Sequence, residues 1–274
     1  MLTAELLHTI MPRLPDRRNG ELLPFLTAAM AEFAIDTPAR AAAFLAQLAH
    51  ESGQFRFMEE IWGPTDAQRR YEPVTKLSQD LGNTDAGDGK RFKGRGPIQL
   101  TGRANYRRFG DLLSIDLLAD PPRAANPDVA FRVAGLFWSK KGLNELADIA
   151  TADAFKAITK RINGGTNGLA ERQAFYAVAR KALGVADAPL TRGGTRAAPP
   201  IPADDSTFER GAEAIRAHGR PRPARKATKR VPKRKATKRV PKRKAKSSSR
   251  RKAAAKARPR KALRTSSQKR RGGL

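Results

Sequence analysis

Positive charge is spread so unevenly along this chain that it limits how much of it can fold. Of its 55 lysines and arginines, 25 lie in residues 221–274, a stretch with no aspartate or glutamate. The first 220 residues hold the other 30 together with all 26 acidic residues, a balance of +4 within a net charge of +29. In the terminal stretch, KATKRVPKR occupies 226–234 and repeats at 235–243, and KAK begins a third copy. Recurrent prolines and repulsion between cations rule out a packed core, so 221–274 is expected to be disordered in isolation. Residues 187–220 are rich in Pro, Gly and Ala and read as a linker, with room for one short helix where Ser206 and Glu209 have capping-box spacing. A folded domain is expected over 1–186, ample for one or two packed lobes.

That domain reads as a string of helices. Leu2, Leu6, Leu7 and Ile10 recur at helical spacing, as do Leu22, Phe25, Leu26, Met30 and Phe33. Thr37-Pro38 supplies a capping hydroxyl and a proline at the first turn, opening a helix through Phe44, Leu45 and Leu48 that Gly53 can end. Asn126-Pro127 opens a helix carrying Phe131, Phe137 and Trp138, and Thr151 opens another with Phe155, Ile158 and Ile162. A last helix is expected from about Gly168 to Leu183. Residues 81–100 break the pattern: five glycines and two aspartates in GNTDAGDGKRFKGRGP suggest turns and at most a short β-hairpin. The expected fold class is mainly α, with a glycine-rich segment in the middle.

The chain has no cysteine, so disulfides do not hold the fold. The first twenty residues read as an amphipathic helix of the domain and not as a Sec signal peptide, and no apolar run reaches the length of a membrane span. Asp85 and Asp88 lack calcium-loop spacing, the three histidines are scattered, and no Gly-Lys-Ser/Thr follows Gly87 or Gly94. No metal or other cofactor is expected. Trp138 lies on an apolar helix face and reads as core, whereas Trp62 fits core and cleft equally well.

Chemistry concentrates between His50 and Tyr106. The stretch opens with His50-Glu51-Ser52-Gly53, has an acidic pair at Glu59-Glu60 and closes on GRGPIQLTGRANY. Two carboxylates a short distance apart beside a polar, glycine-rich segment suit glycosidic-bond hydrolysis: one protonates the leaving oxygen, and the other activates water or attacks the sugar. Glu51 falls one turn after Leu48, in the last turn of its helix. Partial burial and the negative helix end both disfavour its carboxylate, as a general acid requires.

The blocks AQLAHESGQF, Glu60-Ile61, GRGPIQLTGRANY, INGG (162–165) and ERQAFY (171–176) occur in the order found in glycoside hydrolase family 19, which the chain resembles from about residue 25 to 183. That family contains chitinases and many phage endolysins. The resemblance implies a lysozyme-like, two-lobed helical domain and inversion at the anomeric carbon, and the chain is expected to be a monomer. It makes Glu51 the general acid and Glu60, nine residues on, the general base, with Glu59 the competitor by a one-residue slip. Many relatives have Asn where this chain has Ile61. By the same resemblance Thr101 helps hold the attacking water, Gln99, Asn105 and Asn163 line the substrate cleft, and Arg172 tunes the carboxyls. His50 orients the site or serves packing, and Arg95 anchors its segment against an acidic group.

The terminal stretch has no aromatic residue after Phe208, so base stacking is unavailable and what remains is salt-sensitive attraction to any polyanion. Lipopolysaccharide, an anionic wall polymer or nucleic acid would each fit. The leading reading is a hydrolase of β-1,4 links in a GlcNAc-containing polymer. Peptidoglycan is favoured over chitin, with synthesis in the cytoplasm and release to the wall by a holin-type or other route. The competing reading is a polyanion-binding protein whose hydrolase-like domain is an inactive scaffold.

Overall fold

A computed structural model describes residues 2–186; the linker and the cationic stretch read from the sequence lie outside the described residues. The order of elements is α1 (Ala4–Ile10), α2 (Asp16–Glu32), α3 (Pro38–Ser52), α4 (Asp66–Arg69), α5 (Lys76–Asp80), α6 (Asp88–Arg91), α7 (Arg103–Leu113), a 3-10 turn (Pro121–Ala125), α8 (Pro127–Lys140), α9 (Leu143–Ala147), α10 (Ala152–Asn163) and α11 (Leu169–Ala182). The fold is mainly helical and lysozyme-like, and no sheet occurs among the described residues.

The organising element is α3. Thr37 caps it by accepting from Arg40 N, Pro38 takes the first position, and every residue from Ala41 to Ala49 is buried. A helix apolar on all sides belongs at the centre of a core. Accordingly α3 packs most extensively on α11, while α2 lies along α8. Phe44 meets Trp138 edge-on, with ring centroids 5.2 Å apart, and the Trp138 indole donates to Asn144 Oδ1 at 2.8 Å. Trp138 is core, as its helix face suggests. Trp62 is half-buried on a small satellite cluster of Tyr71, Leu77 and Leu81, with its ring centroid 6.2 Å from that of Tyr71.

The end of α3 is unusual. Gly53, Gln54 and Phe55 have φ of 60°, 64° and 58°, three left-handed residues in a row. Non-glycine residues there cost about 1–3 kcal/mol each and persist only where their surroundings over-determine them. Such surroundings are present. Ser52 Oγ accepts from Phe55 N, Gln54 Oε1 accepts from Arg13 N, Arg18 donates to the Phe55 carbonyl, and the Phe55 ring sits edge-on to Phe131 in the core.

The hairpin expected in 81–100 shrinks to one rung. Arg95 and Leu100 exchange both backbone hydrogen bonds (3.0 and 2.8 Å) around Gly96–Gln99, and Arg95 forms a second isolated bridge to Glu59. Before it, the chain makes short helical turns, anchored at Asp88. The Asp88 carboxylate is buried. Burial alone would raise its pKa, but the Arg103 fork and the N–H groups of Asp85 and Thr84 outweigh that and hold it below the ordinary value.

Candidate active site

Glu51 lies in the last turn of α3 with 7% of its surface exposed. Its Oε1 accepts from Arg172 Nη2 at 2.6 Å, and Arg172, on α11, is itself 2% exposed. The same guanidinium donates through Nη1 to Gln47 Oε1 and through Nε to the Asn167 carbonyl at 3.3 Å. Gln47, one turn before Glu51, continues to Thr159 on α10 at 2.9 Å, and the Thr159 hydroxyl donates to the Phe155 carbonyl. Asn163, the last residue of α10, donates to the same Asn167 carbonyl at 3.2 Å. Three helices therefore meet through one buried polar chain that ends on the Glu51 carboxylate. Burial and the helix end favour the neutral acid there, while Arg172 favours the carboxylate.

His50 is not part of that chain. Its Nδ1 lies 2.8 Å from Glu171 Oε2, and its ring rests on Gly168, where a Cβ would come within 2.3 Å of Cε1. Gly168 also has φ +70°, so a side chain there is excluded twice over. Burial, then the nearby Arg172 charge, lowers the His50 pKa despite the pull of Glu51 and Glu171, so the ring is neutral at neutral pH. This placement makes His50 a strut between α3 and the start of α11.

The second carboxylate is held by the loop segments. Glu60 N–H donates to the Gly94 carbonyl at 2.8 Å, and Gly94 N–H returns a bond to Glu60 Oε2 at 3.0 Å. Glu60 Oε1 accepts from Gln68 Nε2 at 3.0 Å. Its neighbour Glu59 is paired with cations: Arg95 Nε at 3.0 Å and Lys93 Nζ at 3.3 Å. Arg95 is buried, and also donates to the Arg91 carbonyl and the Tyr106 hydroxyl, whose own proton goes to the Lys93 carbonyl. Burial raises the pKa of this phenol, keeping it a neutral donor. Arg95 thus anchors its segment against an acidic group, as its glycine-flanked setting suggests, and that group is Glu59. Ile61, next to Glu60, is 69% exposed.

Gln99, Thr101 and Asn105 form one strand of contacts. Gln99 has φ +57° and donates to the Gly96 carbonyl, the Thr101 hydroxyl donates to the Gln99 carbonyl at 2.9 Å, and Asn105 Nδ2 donates to the Thr101 carbonyl at 2.8 Å. With its proton committed, the buried Thr101 hydroxyl keeps lone pairs free to accept from a water. The structure therefore gathers Glu51, Arg172 and Asn163 in one set and Gln99, Thr101 and Asn105 in another, with Glu60 bound to Gly94 close to the second. A groove of about 650 Å³ on the outer face of α7, lined by Arg103, Arg107 and Lys140 among others, includes none of them.

Gln47, Gln68 and Glu171 escaped the reading of the sequence. A glutamine inside an otherwise apolar helix was one available signal, and the Thr65-x-x-Gln68 spacing of a capping box was another.

A family profile described as chitinase class I matches residues 25–151. An Arabidopsis thaliana endochitinase is 42% identical over 126 residues, which span 45% of this chain and 39% of that protein. The chain therefore spans about two-fifths of the length of that plant relative. A Haemophilus influenzae protein described as containing a glycosyl hydrolase family 19 domain is 36% identical over 158 residues, 49% of this chain and 76% of that one. In three dimensions the domain is similar to chitinase C from Streptomyces griseus, with a TM-score of 0.53 at 23% identity, covering 66% of this chain and 92% of that one. With the helical architecture, the ordered sequence blocks and the bacterial relative matched over most of its length, the chain belongs to glycoside hydrolase family 19.

Proposed function

We propose that the domain is an inverting endo-glycosidase that hydrolyses β-1,4 links in a GlcNAc-containing polysaccharide. The observation that carries this reading is the contrast between two carboxyls nine residues apart. Glu51 is buried at a helix end beside the Arg172 guanidinium; Glu60 is partly exposed and, among the described residues, held by neutral N–H donors. Two carboxyls in environments that differ this much are suited to separate acid and base roles. In the reaction Glu60 takes a proton from water as that water attacks the anomeric carbon. Glu51 gives its proton to the departing glycosidic oxygen on the opposite face, so the anomeric configuration inverts. Thr101 helps hold the water, and Gln99, Asn105 and Asn163 bind the sugar's amide and hydroxyl groups. Glu59, already neutralised by Arg95 and Lys93, is the weaker candidate for the base.

Peptidoglycan is the favoured substrate and chitin the next. This preference comes from the cationic stretch 221–274, whose 25 positive charges would hold the enzyme to an anionic envelope after release from the cytoplasm. Digestion of purified peptidoglycan and of a chitin hexasaccharide, with product analysis, separates the two. Glu51→Gln should lower turnover about 10²–10⁴-fold on the polymer that wild type cleaves. Full activity in Glu51→Gln would sink the assignment. Unchanged binding to anionic vesicles after truncation at residue 200 would remove the envelope role.

A further inference from the structure

Gln68 is fully buried at the third position of α4, and all four of its hydrogen-bonding positions are used. Its Oε1 accepts from Thr65 N at 2.8 Å and Gly63 N at 3.2 Å, closing the capping box of α4. Its Nε2 donates to the Ile61 carbonyl at 2.8 Å and to Glu60 Oε1 at 3.0 Å. The orientation of the amide is forced, because a flip would set its NH₂ against two backbone N–H groups and its oxygen against a carboxylate. We propose that Gln68 is the positioning residue for the base: it fixes the Glu60 carboxylate on the side opposite Gly94. The proposal rests on the reading of Glu60 as base and deepens it.

The geometry gives Gln68 two separable duties, one through each end of its amide. The Oε1 end builds the 63–68 turn, and glutamate at this position does that equally well. The Nε2 end serves Glu60, and only a donor can. Gln68→Glu therefore keeps the cap but turns an acceptor toward the base. Like charge at this distance disfavours a second ionised carboxyl, and the two titrate as a pair.

The test measures the Glu60 carboxyl titration by carbon NMR in wild type, Gln68→Glu and a Glu59→Gln control, alongside pH–rate profiles on chitin hexasaccharide and purified peptidoglycan. In Gln68→Glu the Glu60 titration and the acidic limb of kcat should move up together by about one unit. At a fixed pH on that limb this is about a tenfold loss of kcat, with KM within about twofold. Glu59→Gln should leave the limb in place. A second variant, Gln68→Met, removes both duties and should lower both thermal stability and kcat.

If Gln68→Glu titrates and turns over like wild type, the positioning role is wrong even though Glu60 stands as the base. If Glu60→Gln keeps full activity, the reading of the base itself falls. The NMR titration still decides in that case whether Gln68 controls the Glu60 carboxyl.

Discussion

Glu51 and Glu60 are nine residues apart and are fixed by opposite means. Glu51 is set by helix packing: α3, α10 and α11 converge, and one arginine joins the carboxylate to Gln47 and the Asn167 carbonyl. Glu60 is set by backbone, through a two-way exchange with Gly94 and one donor from Gln68. An ionic clamp of this kind resists displacement of the Glu51 carboxyl. A neutral cradle orients the Glu60 carboxylate without burying it beside a cation. Mutations should therefore separate the two sites by the size and the pH dependence of their effects.

The largest stability effect belongs at the clamp. Arg172→Met removes the buried guanidinium that joins Glu51 to Gln47 and the Asn167 carbonyl, which should cost about 3–5 kcal/mol in urea unfolding. Adding Glu51→Gln should recover part of the loss; no recovery would mean that Arg172 acts through packing alone. Next is Gly168→Ala, where left-handed backbone and the His50 ring together predict a loss of about 1–3 kcal/mol, read as a lower Tm. On the loop side Glu59→Gln should cost less than about 1 kcal/mol, since that carboxylate is 46% exposed, and should leave turnover within about twofold. A large drop in turnover would reinstate Glu59 as a base.

The smallest effect is the pH dependence from His50. Its folded pKa lies below 6.5, so on acidification the unfolded chain takes up a proton before the folded one does. Stability should decline as pH falls from about 6.5 toward the folded value, then level off. His50→Gln should flatten that slope, and an unchanged slope would place its origin elsewhere.

The two regions also differ in how far they were legible. Thr37-Pro38, Asn126-Pro127 and Thr151 open helices where their capping chemistry indicates, because caps and apolar period act locally. The burial of Glu51 in a last helical turn follows from the same period. Its contact with Arg172 does not, since 121 residues separate them and only the family resemblance pairs them. In the loop region the period fails. Helices of four or five residues such as α4 to α6 are too short to show a stripe, and the hairpin signal in the glycines yields one rung. Gln68 left one trace, its capping-box spacing from Thr65, but that spacing gives no sign of its contact with Glu60.

The reversal at Gly53–Phe55 has a mechanical consequence. With Thr37 and Pro38 fixing one end of α3 and three left-handed residues locked at the other, Glu51 is carried on a shaft clamped at both ends. Such a shaft cannot slide or unwind by a turn without breaking the core contacts of Phe55. If the domain acts as proposed, adjustment to a substrate therefore falls to the side that carries Glu60 and Gln99, because α3 is fixed at both of its ends.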